Sequence, residues 1–175
     1  MNILHQGTHL DHLLRQTRVH HMQLSSMADV KANIMLTLAS LIVTFCIRYL
    51  TDPVLRWPVF TLIGFCLVTI FAAAYAVMPK ITGLSNPNLQ NPNSDLLFFG
   101  NFVHFTYSEY AELMEKLMSD SNQVYEAQVR EIYNLGVFLA TKKYRYIRIA
   151  YIAFLTGLTV SGLVFLMVEL VHTAA

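Results

Sequence analysis

The sequence predicts an all-α integral membrane protein, with three transmembrane helices and a cytosolic helical bundle formed by the N-terminal extension and the segment between spans two and three. Three observations lead there. Of 175 residues, 55% are hydrophobic and only 13% are charged, against roughly 25% charged in an ordinary soluble domain. Three uncharged runs approach or reach the length of a hydrocarbon core, and together they leave too little polar surface for a soluble fold. Ten of the twelve Lys and Arg residues fall on one side of the membrane that those runs define. The net charge of +1 offers no global field for nucleic acid. Cys46 and Cys66 both lie inside apolar runs, where a cysteine serves as a small hydrophobe.

Residues 1–31 are expected to form a cytosolic N-terminal helix that extends span one, with Leu10, Leu13, Leu14, Val19, Met22, Leu24 and Met27 as its apolar positions. This stretch lacks the apolar core of a signal peptide, so no cleaved export signal is expected and the first span acts as the insertion signal. Between Lys31 and Arg48 lie sixteen uncharged residues, 32–47, and a snorkelling Arg48 extends span one to 32–50. Span two, 57–78, has twenty-two uncharged residues. At about 1.5 Å per residue it reaches about 33 Å, enough for a core of about 30 Å. Pro58 falls in its first turn, where proline is tolerated. Span three, 149–168, has twenty uncharged residues and contains Gly157, Ser161 and Gly162. The small pairs Gly157/Ser161 and Ala72/Ala76 have the spacing of close helix association.

The short connection at 51–56 makes spans one and two antiparallel, so residues 79–148 share a side with the N-terminus. Arg15, Arg18, Lys31, Lys80, Lys116, Arg130, Lys142, Lys143, Arg145 and Arg148 lie on that side, and only Arg48 and Arg56 on the other. The positive-inside rule therefore puts the N-terminus and 79–148 in the cytosol and the tail 169–175 outside. Within 79–148, residues 79–95 carry three prolines, four asparagines and a glycine, the composition of a loop. Thr106 and Glu109 have capping-box spacing and open a helix that ends near Ser119, with Tyr110, Leu113, Leu117 and Met118 on one face. Asp120 with Gln123 gives a second start, and Val124, Ala127, Ile132, Leu135, Leu139 and Tyr144 carry the helical pattern into span three. Gly136 interrupts it at a cost of about 1 kcal/mol relative to alanine, and close helix packing explains it better than a hinge.

Candidate chemistry is sparse. His5, His9 and His12 share a helical face, but no carboxylate or cysteine completes a metal site, so solvated histidines are the simpler reading. Asp29 and Lys31 stand at the cytosolic mouth of span one, where an unpaired charge is costly. Lys142, Arg145 and Arg148 form a basic stripe that ends at the membrane, facing lipid headgroups or a phosphorylated ligand. Aromatic residues crowd the same segment, among them Phe99, Tyr110, Tyr133 and Tyr144. Aromatic rings and cations together are what a pocket for a base and a phosphate would need. No glycine-rich phosphate loop, nucleophile elbow or metal-binding spacing is present, so neither a catalytic residue nor an enzymatic activity is expected.

The order MADVKANIMLTLASLI, LLFFGNFVHFTYSEYAELMEKLM and YEAQVREIYNLGVFLATKKYRYIRIAYIAFLTGL resembles the transmembrane effector family of Pycsar, the pyrimidine cyclase system for antiphage resistance. The resemblance covers about residues 26–166 and is carried by Ala28-Asp29-x-Lys31-Ala32, Phe99-Gly100-x-Phe102 and Ile132-Tyr133-x-Leu135-Gly136. It implies a multi-pass effector of the bacterial inner membrane, a homo-oligomer in the lipid bilayer. No cofactor or nucleic acid is implied; the activating ligand would be a cyclic nucleotide, cCMP or cUMP, from a partner pyrimidine cyclase, and the output membrane impairment and abortive infection. The matching positions are Asp29, Lys31, Phe99, Gly100, Tyr110, Arg130, Tyr133, Lys143 and Tyr144. Asp29, Lys31, Phe99, Arg130, Tyr133, Lys143 and Tyr144 are the candidate ligand-binding residues. The alternative is a membrane anchor or scaffold that recruits a soluble partner without ligand gating.

Overall fold

The computed structural model describes residues 7–79 and 96–174. Helix α1 runs Thr8–Cys46 and tightens into a 3-10 turn at Ile47–Thr51; α2 is Arg56–Val77. After a one-turn helix α3, Phe99–Phe102, come α4, Tyr107–Met118, and α5, Ser121–Phe138. A π-helical stretch, Leu139–Tyr144, leads into α6, Arg145–Ala174. Among the described residues there is no strand, and three helical runs, Thr8–Thr51, Arg56–Val77 and Ser121–Thr173, are long and apolar enough to cross a membrane. The fold is therefore the all-α membrane protein that the composition predicts. Of the expected loop at 79–95, all but Pro79 lies outside the described residues.

The chain divides into two compact units. The first, Ser25–Met78 with Leu139–Ala175, holds the spans. Its seam is lined by small side chains: Ala28, Ala32 and Ala39 of α1, Ala72, Ala73 and Ala76 of α2, and Ala150 and Ala153 of α6 are all buried. Met35 and Ile147 fill the remaining gaps. Large apolar side chains such as Phe60, Phe71, Leu163 and Met167 point outward. This inversion of a soluble core suits a lipid solvent: hydrocarbon gives helices no hydrophobic reason to associate, so close backbone approach and dispersion must hold them. Gly157 marks the closest approach, since a Cβ there would lie 2.4 Å from Phe65 Cβ. One turn on, Ser161 Oγ donates to the Pro58 carbonyl at 2.9 Å. Buried Thr69 donates to Phe65 O at 2.9 Å and to Ala150 O at 3.4 Å, so neither hydroxyl is left unsatisfied in the seam. The small-residue pairs are thus spent on packing within the chain.

The turn between α1 and α2 is closed by Asp52, whose Oδ1 accepts the Val54 and Leu55 N–H groups at 2.9 and 3.3 Å. Arg48 lies over the Tyr49 ring and Arg56 over the Trp57 ring, at 4.8 and 5.7 Å from the centroids. Cation and aromatic side chains together are the usual composition of a membrane–water boundary.

The second unit comprises Met1–Leu24 and Pro79–Phe138. Here α4 begins with the full capping box: Thr106 Oγ1 accepts the Glu109 N–H, and the Glu109 carboxylate accepts the Thr106 N–H at 2.8 Å. These hydrogen bonds hold the Glu109 carboxyl below the usual glutamate range. The helix ends at Met118 with Ser119 as its cap, as the sequence predicts, but Met118 itself is 63% exposed and leaves the predicted apolar face. Asp120 Oδ1 then accepts the Asn122 N–H at 2.9 Å and starts α5. Along the first part of α1 and α5, Tyr125 donates to Asp11 at 2.7 Å and Arg18 pairs with Glu131 at 2.9 Å. His21 packs where a Gly136 Cβ would fall, 3.3 Å from its Cε1. The contacts advance together along both helices, which therefore run parallel. Gly136 is accordingly a packing glycine.

Candidate functional site

Two places bring polar groups together. In the membrane unit, Lys143 Nζ donates to both oxygens of the Asp29 carboxylate, at 2.7 and 2.8 Å, and to Ser25 Oγ at 2.8 Å. Three acceptors use all three ammonium hydrogens. The Lys143 side chain is 14% exposed and that of Asp29 is 41% exposed. An ammonium this covered needs its counter-ion, because desolvation removes the water that would otherwise hold it. Tyr144, the next residue, packs against the alanine seam, and Tyr146 stacks obliquely on Tyr75 with ring centroids 4.3 Å apart.

The π-helical stretch explains which cation is chosen. Leu139, Lys143 and Ile147 all turn inward at a spacing of four, whereas Lys142, Arg145 and Arg148 are exposed. A wider turn, with i→i+5 hydrogen bonds, holds residues four apart on one face better than 3.6 residues per turn does. Sequence periodicity at the α-helical repeat missed this, since the basic stripe drawn at i, i+3 and i+6 omits Lys143, the lysine that pairs with Asp29.

In the other unit an open notch of about 200 Å³ is lined by Asp11, Met118, Ser121, Val124, Tyr125 and Gln128. Donation to Asp11 pushes the Tyr125 phenol above its usual value. The notch is smaller than the roughly 300–1,000 Å³ of small-molecule sites. Its one charged lining group is a carboxylate, which opposes a phosphate. The acidic partner of Tyr125 gave no signal in the sequence, because Asp11 and Tyr125 are 114 residues apart.

The seven candidate residues divide between the two units. Asp29 and Lys143 are in direct contact, with Tyr144 beside them; Lys31 is exposed two residues along α1 from Asp29. Arg130 is half-buried on α5 and bonded to Glu126 at 3.0 Å, one turn earlier. Tyr133, three residues on, is 69% exposed. Phe99 lies in α3, and its side chain is outside the described residues, as is His5 of the expected histidine row. His9 and His12 are both exposed.

Comparison with curated proteins and with solved structures finds no match. A family described as the Pycsar effector protein domain matches residues 12–168, which covers parts of both units and the uncharged runs 32–47, 57–78 and 149–168. That span contains the Asp29–Lys143 pair, the capping box and the alanine seam alike, and the chain belongs to the Pycsar effector family, the membrane effectors of an antiphage defence.

Proposed function

We propose that this effector senses a cyclic pyrimidine mononucleotide, cCMP or cUMP made by a partner cyclase, and responds by impairing the bacterial inner membrane, so that infection is aborted. In this reading the N-terminus and residues 79–148 are cytosolic and the C-terminus is external, on the distribution of ten basic residues against two. The observation that supports it most is helical continuity. The chain is helical from Ser121 to Ala174, so the helix that bears Arg130 and Tyr133 is the same one that forms the third span. Arg130 and Tyr133 stand at i and i+3, one side of α5, so a phosphate that replaced Glu126 on the guanidinium would bring its base toward the exposed ring. Binding there shifts the spans only if the ligand prefers one of two conformations. Three spans of one chain cannot enclose a wide aqueous path, so the reading includes a homo-oligomer.

The test is binding of cyclic mono- and dinucleotides to the purified protein, paired with depolarisation of proteoliposomes. Binding of cCMP or cUMP followed by depolarisation supports the reading, and Arg130→Ala should abolish binding while membrane insertion persists. No binding across the panel overturns it. A second reading, a scaffold for a soluble protein, draws on Tyr107 and Tyr133, two rings that stand far out of the second unit. That reading gains if a stable partner co-purifies and activity survives replacement of the spans by unrelated ones.

A further inference from the structure

The membrane unit carries an unbalanced set of cations at one end. Its sequence holds only three carboxylates, Asp29, Asp52 and Glu169. Lys143 engages Asp29, Asp52 closes the turn before α2, and Glu169 follows the twenty uncharged residues of span three. With Asp29 engaged by Lys143, the cations Lys31, Lys142, Arg145 and Arg148 outnumber the carboxylates of their own unit at that end, and all four are exposed.

Their depth is fixed by the apolar runs. Lys31 is the last charge before 32–47 and Arg148 the last before 149–168, so both stand where water gives way to hydrocarbon. They stand at one level, because Ala28 and Ala32, which flank Lys31, share a core cluster with Ile147 and Ala150, which flank Arg148. Tyr75, Tyr144 and Tyr146 gather at the same level around that cluster. Amphipathic rings beside exposed cations in excess of the unit's carboxylates are what a headgroup layer accommodates.

We infer that Lys31, Lys142, Arg145 and Arg148 form a binding surface for the headgroup phosphates of anionic phospholipids in the leaflet at this end of the spans, the cytosolic leaflet in the orientation proposed above. The π-helical turn divides the labour: it takes Lys143 inward to Asp29 and leaves its basic neighbours for lipid. Arginine can grip a phosphate with two parallel hydrogen bonds, so Arg145 and Arg148 carry most of the selectivity. This inference does not depend on nucleotide sensing.

The test is lipid selectivity of the full chain reconstituted in phosphatidylcholine bilayers, read by the motionally restricted fraction of spin-labelled phosphatidylglycerol against spin-labelled phosphatidylcholine. At low salt phosphatidylglycerol should associate at least about threefold more strongly, with the preference falling toward parity in about 1 M salt, where the Debye length is near 3 Å. R145Q/R148Q should lose at least half of the preference, whereas R48Q/R56Q, at the opposite end, should keep most of it. Far-ultraviolet circular dichroism of each variant checks that the helices are intact. Should R145Q/R148Q fail to insert, K31Q/K142Q and the salt series decide the matter. Equal association of the two lipids, a preference untouched by these substitutions, or one abolished only by R48Q/R56Q overturns the inference.

Discussion

Lys143 and Asp29 are 114 residues apart in the chain, and the lysine ammonium meets both carboxylate oxygens at 2.7 and 2.8 Å beside a seam of alanines. Each group is the other's reason for being tolerated there. Lys143→Met should leave a carboxylate facing apolar side chains and destabilise the membrane unit by about 1–3 kcal/mol, less than a fully buried pair because Asp29 is partly wetted. Asp29→Asn should cost a similar amount, and the double variant less than the sum. Thermal unfolding in detergent of the four proteins measures the coupling, and strict additivity would show that the pair contributes nothing.

Gly157 should be the least replaceable residue of span three. Valine there has to displace Phe65 at its Cβ, which only a backbone shift can relieve. We expect Gly157→Val to cost more than about 2 kcal/mol, within the range for overpacking. Gly162→Ala, with nothing within 4 Å of its added carbon, should instead stabilise by up to about 1 kcal/mol. Melting temperatures of the two variants in the same detergent give the comparison.

The start of α4 should respond to acid. Because hydrogen bonds hold the Glu109 carboxyl low in the folded chain, its contribution is complete above the unfolded value, about 4.3, and is lost as pH falls through the folded one. Amide exchange in the first turn of α4 should therefore accelerate below about pH 4 relative to that in α5, after correction for intrinsic rates. Thr106→Ala, which removes the other half of the box, should accelerate the same amides at neutral pH. Protection unchanged in both conditions would count against the box.

The π-helical stretch gives a sharper test of coupling. Deleting exposed Ala140 removes one residue from Leu139–Tyr144 and lets it wind as an α-helix, with the flanking helices keeping their faces. Under the proposed function, if the wide turn is what moves, the deletion variant should keep the cyclic-nucleotide binding expected of the parent and fail to depolarise proteoliposomes. Depolarisation at the parental level would show that the stretch has no part in the response.

The sequence made legible whatever depends on a single period or a local hydrogen bond. Uncharged run length marked all three membrane-crossing helices, and Thr106 with Glu109 announced the cap of α4. Gly136 and Gly157 were readable as packing positions because glycine inside a helix needs a reason. The choice of Lys143 over Lys142 or Arg145 as the partner of Asp29 was not, since it turns on a change of helical pitch that leaves no mark in composition. Tyr125 with Asp11 and Arg18 with Glu131 were hidden for another reason: pairing between distant helices depends on their register, which neither helix encodes alone. Met118 was placed on the apolar face by spacing alone, yet the last turn of α4 leaves it in the open.

The alanine seam bears on the membrane impairment proposed above. Its walls are methyl groups and helix backbone already bonded to itself, and its two hydroxyls, on Thr69 and Ser161, are turned onto carbonyl oxygens. An ion travelling along that line would exchange its hydration shell for hydrocarbon and gain no ligand in return. Under the proposed function, the path of any leak would then run along the outer surface where the exposed Phe60, Phe71, Leu163 and Met167 stand, and not through the seam.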